Sequence, residues 1–153
     1  MAKKMQPEIR PKSEVFSLKT PYLASGRITK LVSKTDGLWI HTKINAEGGE
    51  NALHCHTHED HAFIVLEGEG TFFDEEGNET TVKPFQGIMI PKGAYYRYLN
   101  TGKGNLMVVR VGAGIKKAGV ASRIDPDGKP IHTDSEENKH IEGVPIPGKF
   151  FGE

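Results

Sequence analysis

Residues 48–70, Gly48 to Gly70, read GGENALHCHTHEDHAFIVLEGEG. Four of the seven histidines fall inside this stretch, at His54, His56, His58 and His61. Side chains two apart on a strand point to one face, so His54 and His56 project together and Cys55 between them faces the other way. His58 continues the two-residue spacing but falls in Thr57-His58-Glu59-Asp60, a polar connection. His61 then opens the apolar run Ala62-Phe63-Ile64-Val65-Leu66, which reads as a second strand pairing back beside the first. Antiparallel pairing brings His61 next to the His54/His56 pair, giving three imidazoles on one face. Neutral imidazoles are ligands for Fe, Zn, Mn, Ni and Cu. His54, His56 and His61 are therefore the expected metal ligands, and His58 is assigned to the rim of a substrate pocket.

Outward from this stretch, turn formers alternate with short β-branched and aromatic runs. The chain has 153 residues, with 18 Gly and 9 Pro, and no long run of helix formers, which points to one all-β domain. Strands are expected near 27–33, 37–44, 51–56, 61–67, 70–74, 79–83, 87–90, 95–100 and 106–111. Leu38, Ile40, Thr42 and Ile44 alternate with Trp39, His41 and Lys43 as in a half-buried strand. Gly68-Glu69-Gly70 and Glu76-Gly77-Asn78 are tight hairpin connections. So many short strands at this spacing imply a sandwich or barrel. Three zones follow: an extended arm over 1–26, a barrel over 27–112 and a polar tail over 113–153. The tail ends in Phe150-Phe151, expected to dock onto its own barrel or a neighbour's, with a disordered tail as the alternative.

Formal net charge is zero, so nothing favours a nucleic-acid partner. The basic residues near the start and the acidic run Asp134–Glu137 read as solvated. A single cysteine allows no internal disulfide. No apolar stretch has the length of a signal peptide or membrane span, so a cytoplasmic protein is expected. There is no Gly-rich phosphate loop and no Ser-His-Asp arrangement. Cys55 reads as a packed thiol, and His41, His132 and His140 as surface or hydrogen-bonding residues.

Two spaced patterns resemble the motifs of the cupin superfamily, of the small, single-domain bacterial type. Gly48, five residues, His54-Cys55-His56, four residues, His61, six residues and Gly68 follow the first motif. Pro91-Lys92-Gly93, then Tyr96 and Asn100, keep the spacing of the second, with Phe85 where that motif opens on Gly. The resemblance, over roughly 27–112, implies an all-β jelly roll, or double-stranded β-helix. Metal-binding cupins commonly use three His and one Glu. Here His61 stands at the Glu position and Tyr96 at the last His position, so three histidines remain in a changed arrangement. Tyr96 is then expected to supply a phenolate ligand or a hydrogen bond to substrate. Tyr98, sharing its face, and Phe63 would line the substrate pocket.

Such a site implies a divalent transition metal, Fe first and Zn, Mn or Ni next. The resemblance points to an Fe(II) dioxygenase acting on a small oxygen-containing organic substrate. A Zn-, Mn- or Ni-dependent isomerase or lyase is the alternative, and a non-catalytic binding protein the third reading. A homodimer is expected, with Trp39 as an interface residue.

Overall fold

The computed structural model describes residues 9–153, so the first eight residues of the expected arm lie outside the described part. Twelve strands and no helix occur among the described residues. They are β1 (Thr20–Ser25), β2 (Arg27–Lys34), β3 (Leu38–Asn45), β4 (Gly49–His56), β5 (Glu59–Glu67) and β6 (Gly70–Phe73). β7 (Glu79–Val82), β8 (Gly87–Ile90), β9 (Tyr96–Asn100), β10 (Leu106–Gly114), β11 (Arg123–Ile124) and β12 (Val144–Phe151) follow. Two five-stranded antiparallel sheets, ordered β2-β3-β10-β5-β8 and β11-β4-β9-β6-β7, make the jelly roll. The nine strands expected from the sequence are β2 to β10.

The interior is graded from apolar to polar. Along β5 the inward positions run Val65, Phe63, His61, Glu59, from core to mouth. Antiparallel β10 matches this with Leu106 and Val108 in the core and Arg110 beyond them. Phe63, Phe72, Tyr96 and Tyr98 pack ring against ring, with Phe72 and Tyr98 stacked at 5.1 Å. One end of the barrel is thus a closed aromatic core and the other a polar chamber.

On β3 the apolar face turns away from the barrel. Ile44 packs outside with Leu23 and Met107, and the Thr20 hydroxyl donates to Thr42 Oγ1 at 2.8 Å. The opposite face therefore points inward. Lys43 Nζ lies 5.1 Å from the Tyr98 ring centre, and Trp39 lies over Gly112 of β10. Trp39, expected at a dimer interface, lines the mouth of the chamber.

The two terminal segments meet. β1 pairs with β12, Tyr22 meets the Phe151 ring edge-on at 6.5 Å, and Phe151 packs on the outer apolar cluster. Phe151 thus covers the outer face of the chain's own barrel. Residues 121–138 also add to the barrel: β11 pairs with Cys55 and His56 of β4, and Asn138 Oδ1 accepts the Ala52 N–H at 2.9 Å. This short strand carries Arg123 to the chamber.

Candidate metal centre

β4 and β5 project Glu50, His54 and His56 from one side and Glu59 and His61 from the other, all by two-residue alternation. His54 and His56 have ring centres 5.3 Å apart, and those of His56 and His61 are 4.0 Å apart. His56, Glu59 and His61 each offer a ligand atom, and these atoms lie within 4.8 Å of one another. This group can hold a divalent metal ion.

The hydrogen bonds set the tautomers. His54 Nδ1 stands 2.8 Å from the Ala52 carbonyl, which can only accept, so Nδ1 carries the proton. Nε2 is left bare, buried and without a partner among the described residues. His61 Nε2 lies 2.6 Å from Glu59 Oε2, and its buried Nδ1 likewise has no partner among the described residues. Buried polar atoms without partners are costly, and a metal ion is a partner such bare ring nitrogens take, although His54 lies outside the His56–Glu59–His61 group. A carboxylate beside a ligating imidazole also fixes its ring.

Burial holds the imidazoles neutral. It brings His54 to about 4, against the opposing pull of Glu50, and His56 to about 2, aided by His61 and His54. His61 is lowered by burial too, partly offset by its bond to Glu59. For Glu59, burial pushes upward, but the hydrogen bond to His61, with Arg110 and Lys116 nearby, holds the carboxyl below its ordinary value. At neutral pH the group offers lone pairs and a carboxylate, which is the donor set a divalent transition metal takes.

Tyr96 comes down between the imidazoles from β9. Its hydroxyl is 3.4 Å from His56 Nε2 and 3.5 Å from Glu50 Oε2, and its ring centre is 4.4 Å from that of His54. Burial, with the Glu50 charge added, pushes its phenol well above the ordinary value, so Tyr96 is a proton-bearing donor. Glu50 is itself fully buried, 3.1 Å from Lys43 Nζ and 3.6 Å from Arg123 Nη1. Burial pushes its carboxyl up, but Lys43 and Arg123 outweigh that and keep it ionised.

Phe63 and Tyr98 are fully buried in the core beneath the imidazoles. His58 is buried in the β4–β5 connection, away from the cavity lining. The open space beside the group is a cavity of about 690 Å³ whose walls include Trp39, His41, His56, Glu59, Arg110 and Arg123. His41, read from sequence as a surface residue, has Nδ1 3.3 Å from Arg110 Nη2 and is brought to about 4 by burial, then by Arg110. Cys55 is buried, and burial raises its thiol.

Sequence reasoning missed Glu50, Glu59, Lys43, Arg110 and Arg123. The alternation signal was present for the first two, four residues before His54 and two before His61. It was present on β3 as well, where Lys43 shares a face with His41. Nothing local marks Arg123, on a strand of two residues.

A double-stranded antiparallel barrel with imidazoles and carboxylate gathered at one end defines the class of this protein. Residues 41–112 match the Cupin domain family, so this stretch of the chain is a cupin domain. No match is found among curated protein sequences. Among solved structures, a conserved protein with a double-stranded β-helix domain from Klebsiella pneumoniae subsp. pneumoniae is similar. Its identity is 24%, it covers 67% of this chain and 91% of its own, and its TM-score is 0.57. KdgF from Halomonas sp. matches at 17% identity over 60% of this chain and 82% of its own, with a TM-score of 0.54. Streptomyces PAC13 with uridine shares 9% identity but spans 88% of this chain and 94% of its own, at a TM-score of 0.56. At these identities the likeness concerns the fold.

Proposed function

We propose that this cupin is a metal-dependent enzyme of the Fe(II) dioxygenase type, acting on a small oxygen-containing organic molecule held in the cavity. The observation that carries this reading is the His56–Glu59–His61 group. Two imidazoles and one carboxylate leaving open positions are the donor set of non-haem Fe(II) oxygenases. His54, with its bare Nε2, is the further ligand in this reading, so the expected set His54, His56 and His61 gains Glu59. A bound Fe(II) would supply sites for a chelating substrate and O₂ side by side. The chain's own residues orient the substrate: Tyr96 donates a hydrogen bond from its neutral phenol, and the aromatic core beneath keeps water out.

A redox-silent isomerase or lyase using Zn, Mn or Ni is the second reading, since the same imidazole and carboxylate donors take these ions as well. In either reading the protein is proposed to be a cytoplasmic homodimer. Leu38, Ile64 and Met89 are exposed on one outer sheet face suited to pairing.

Anaerobic purification, loading with Fe(II) or Zn(II), and metal analysis test the proposal. Stoichiometric Fe(II), with O₂ uptake on adding diketones or catechol-like compounds, is the result expected. Turnover with Zn(II) and no O₂ uptake selects the second reading. Absence of stoichiometric metal, with thermal stability unchanged by chelator, overturns both.

A further inference from the structure

The cavity beside the imidazoles is walled by more positive charge than it neutralises. Arg110 and Arg123 flank it, and Lys34 and Lys116 stand at its rim, against the two carboxylates Asp36 and Glu59. Glu59 is already engaged by His61 at 2.6 Å. Glu50 behind the wall is taken by Lys43 at 3.1 Å, with Arg123 Nη1 at 3.6 Å.

Each guanidinium group is tethered through one nitrogen and keeps other N–H groups without a partner among the described residues. Arg123 Nη1 donates to Thr133 Oγ1 at 2.6 Å, and Arg110 Nη2 rests against His41 Nδ1 at 3.3 Å. Arg123 Nε and Nη2 and Arg110 Nε are buried and have no partner among the described residues. Arg123 is 9% exposed, so its missing partner is not replaced by bulk solvent. A fixed, desolvated guanidinium with free N–H groups is built to take a planar oxyanion through paired, charge-assisted hydrogen bonds. Leu31, Trp39 and Ile115 supply an apolar part of the wall, and Thr35, Ser122 and Thr133 an uncharged polar part.

We infer that Arg110 and Arg123 form the carboxylate-binding subsite of the substrate pocket, and that the substrate is a small organic carboxylate with an apolar body. The carboxylate docks on the two guanidinium groups, the apolar body lies against Trp39, and the opposite end reaches His56. This deepens the function proposed above, since it rests on the cavity being the substrate site. It requires no particular metal or reaction.

Trp39 is the only tryptophan in the chain, so its fluorescence reports occupancy directly. The test is titration of the chelator-treated full chain with benzoate and phenylacetate, their neutral amides, and inorganic phosphate. Fluorescence and calorimetry are read together. The carboxylates are expected to change Trp39 emission saturably, and the amides to fail. Arg110→Gln should weaken binding by about 10-fold or more, the usual range for a lost charge-assisted bond. Arg110→Lys, which keeps the charge but loses the fork, should recover only part. A melting curve confirms that each variant is folded, and Arg123→Lys serves as the second probe if Arg110→Gln is not. His61→Ala separates this inference from the metal reading. Carboxylate binding retained in that variant supports the subsite even if metal analysis rejects the enzyme. Equal binding of acids and amides, no saturable response, phosphate equal to benzoate, or an unchanged affinity in Arg110→Gln overturns it.

Discussion

Glu59 Oε2 and His61 Nε2 stand 2.6 Å apart, one turn of the β-pleat from each other at the mouth of the barrel. The pair decides which atoms can face a metal. With Glu59 ionised, its oxygen accepts the His61 Nε2 proton and leaves Nδ1 bare; as a direct ligand, the carboxylate releases Nε2 instead. In both cases Glu59 matters to the metal.

Glu59→Gln is therefore expected to lower divalent metal affinity by about 10- to 100-fold, the range found for carboxylates that support ligating imidazoles. His61→Ala should lose the metal altogether. Competition with a chromophoric chelator measures both. If Glu59→Gln binds as tightly as the parent, the carboxylate has no part in the centre. His54→Ala examines the fourth position, and full metal retention there removes His54 from the ligand set.

Gly112 and Trp39 make a second testable contact. A methyl group at position 112 would overlap the indole ring, so the side chain must be pushed from its place at the cavity mouth. Gly112→Ala should cost about 1–3 kcal/mol, as overpacked sites do, despite the entropy gained from removing a glycine. A red-shifted Trp39 emission should accompany the lower melting temperature. Unchanged emission and melting would show that the indole does not lie there.

The outline of the barrel was legible because alternation and turn chemistry are local signals. His54 and His56 share a face by spacing alone, and Gly68-Glu69-Gly70 marks its connection without tertiary information. β1 and β12 were missed because Pro21, Pro145 and Pro147 speak against strands, yet the two segments lie at an edge where missing N–H groups are tolerated. The polar half of the site was hidden for another reason. Lys43 and Arg110 are charged residues turned inward, which hydropathy assigns to solvent, and only the opposing Glu50 and cavity make sense of them. Arg123 enters from a segment read as tail, and no periodicity announces a strand of two residues.

Acid should destabilise the fold before ordinary carboxylates titrate. Unfolded imidazoles take up protons near 6.5, whereas folded His54 does so near 4 and His56 near 2. Between those values the unfolded chain binds more protons, so stability falls as pH drops from 6.5 toward 4. Glu50 acts in the same direction at lower pH. Its carboxyl is held well below 4.5, and the stability it contributes above that value is lost as pH falls through its folded value. Chemical denaturation of the chelator-treated protein across this range should give a midpoint that declines steadily below 6.5. A flat profile down to 4 would mean that the imidazoles are solvated rather than buried.

Phe85 occupies the position where the second cupin motif opens on glycine, and its backbone shows why. Its φ is +66°, in the left-handed region, while its side chain is 89% exposed and contributes little packing. The turn is pinned from both ends: the Phe85 N–H donates to the Val65 carbonyl at 2.8 Å, and the Val65 N–H donates to the Gln86 carbonyl at 2.9 Å. A side chain in this conformation costs about 1–2 kcal/mol, against which glycine loses somewhat more freedom on folding. Phe85→Gly should accordingly stabilise the protein by up to about 1 kcal/mol, seen as a melting temperature a few degrees higher. Metal and carboxylate binding should not change, since the turn joins β7 to β8 and is tied to β5 at Val65, away from His61. A lower melting temperature would show that the exposed ring is covered in solution, and would redirect attention to the surface that covers it.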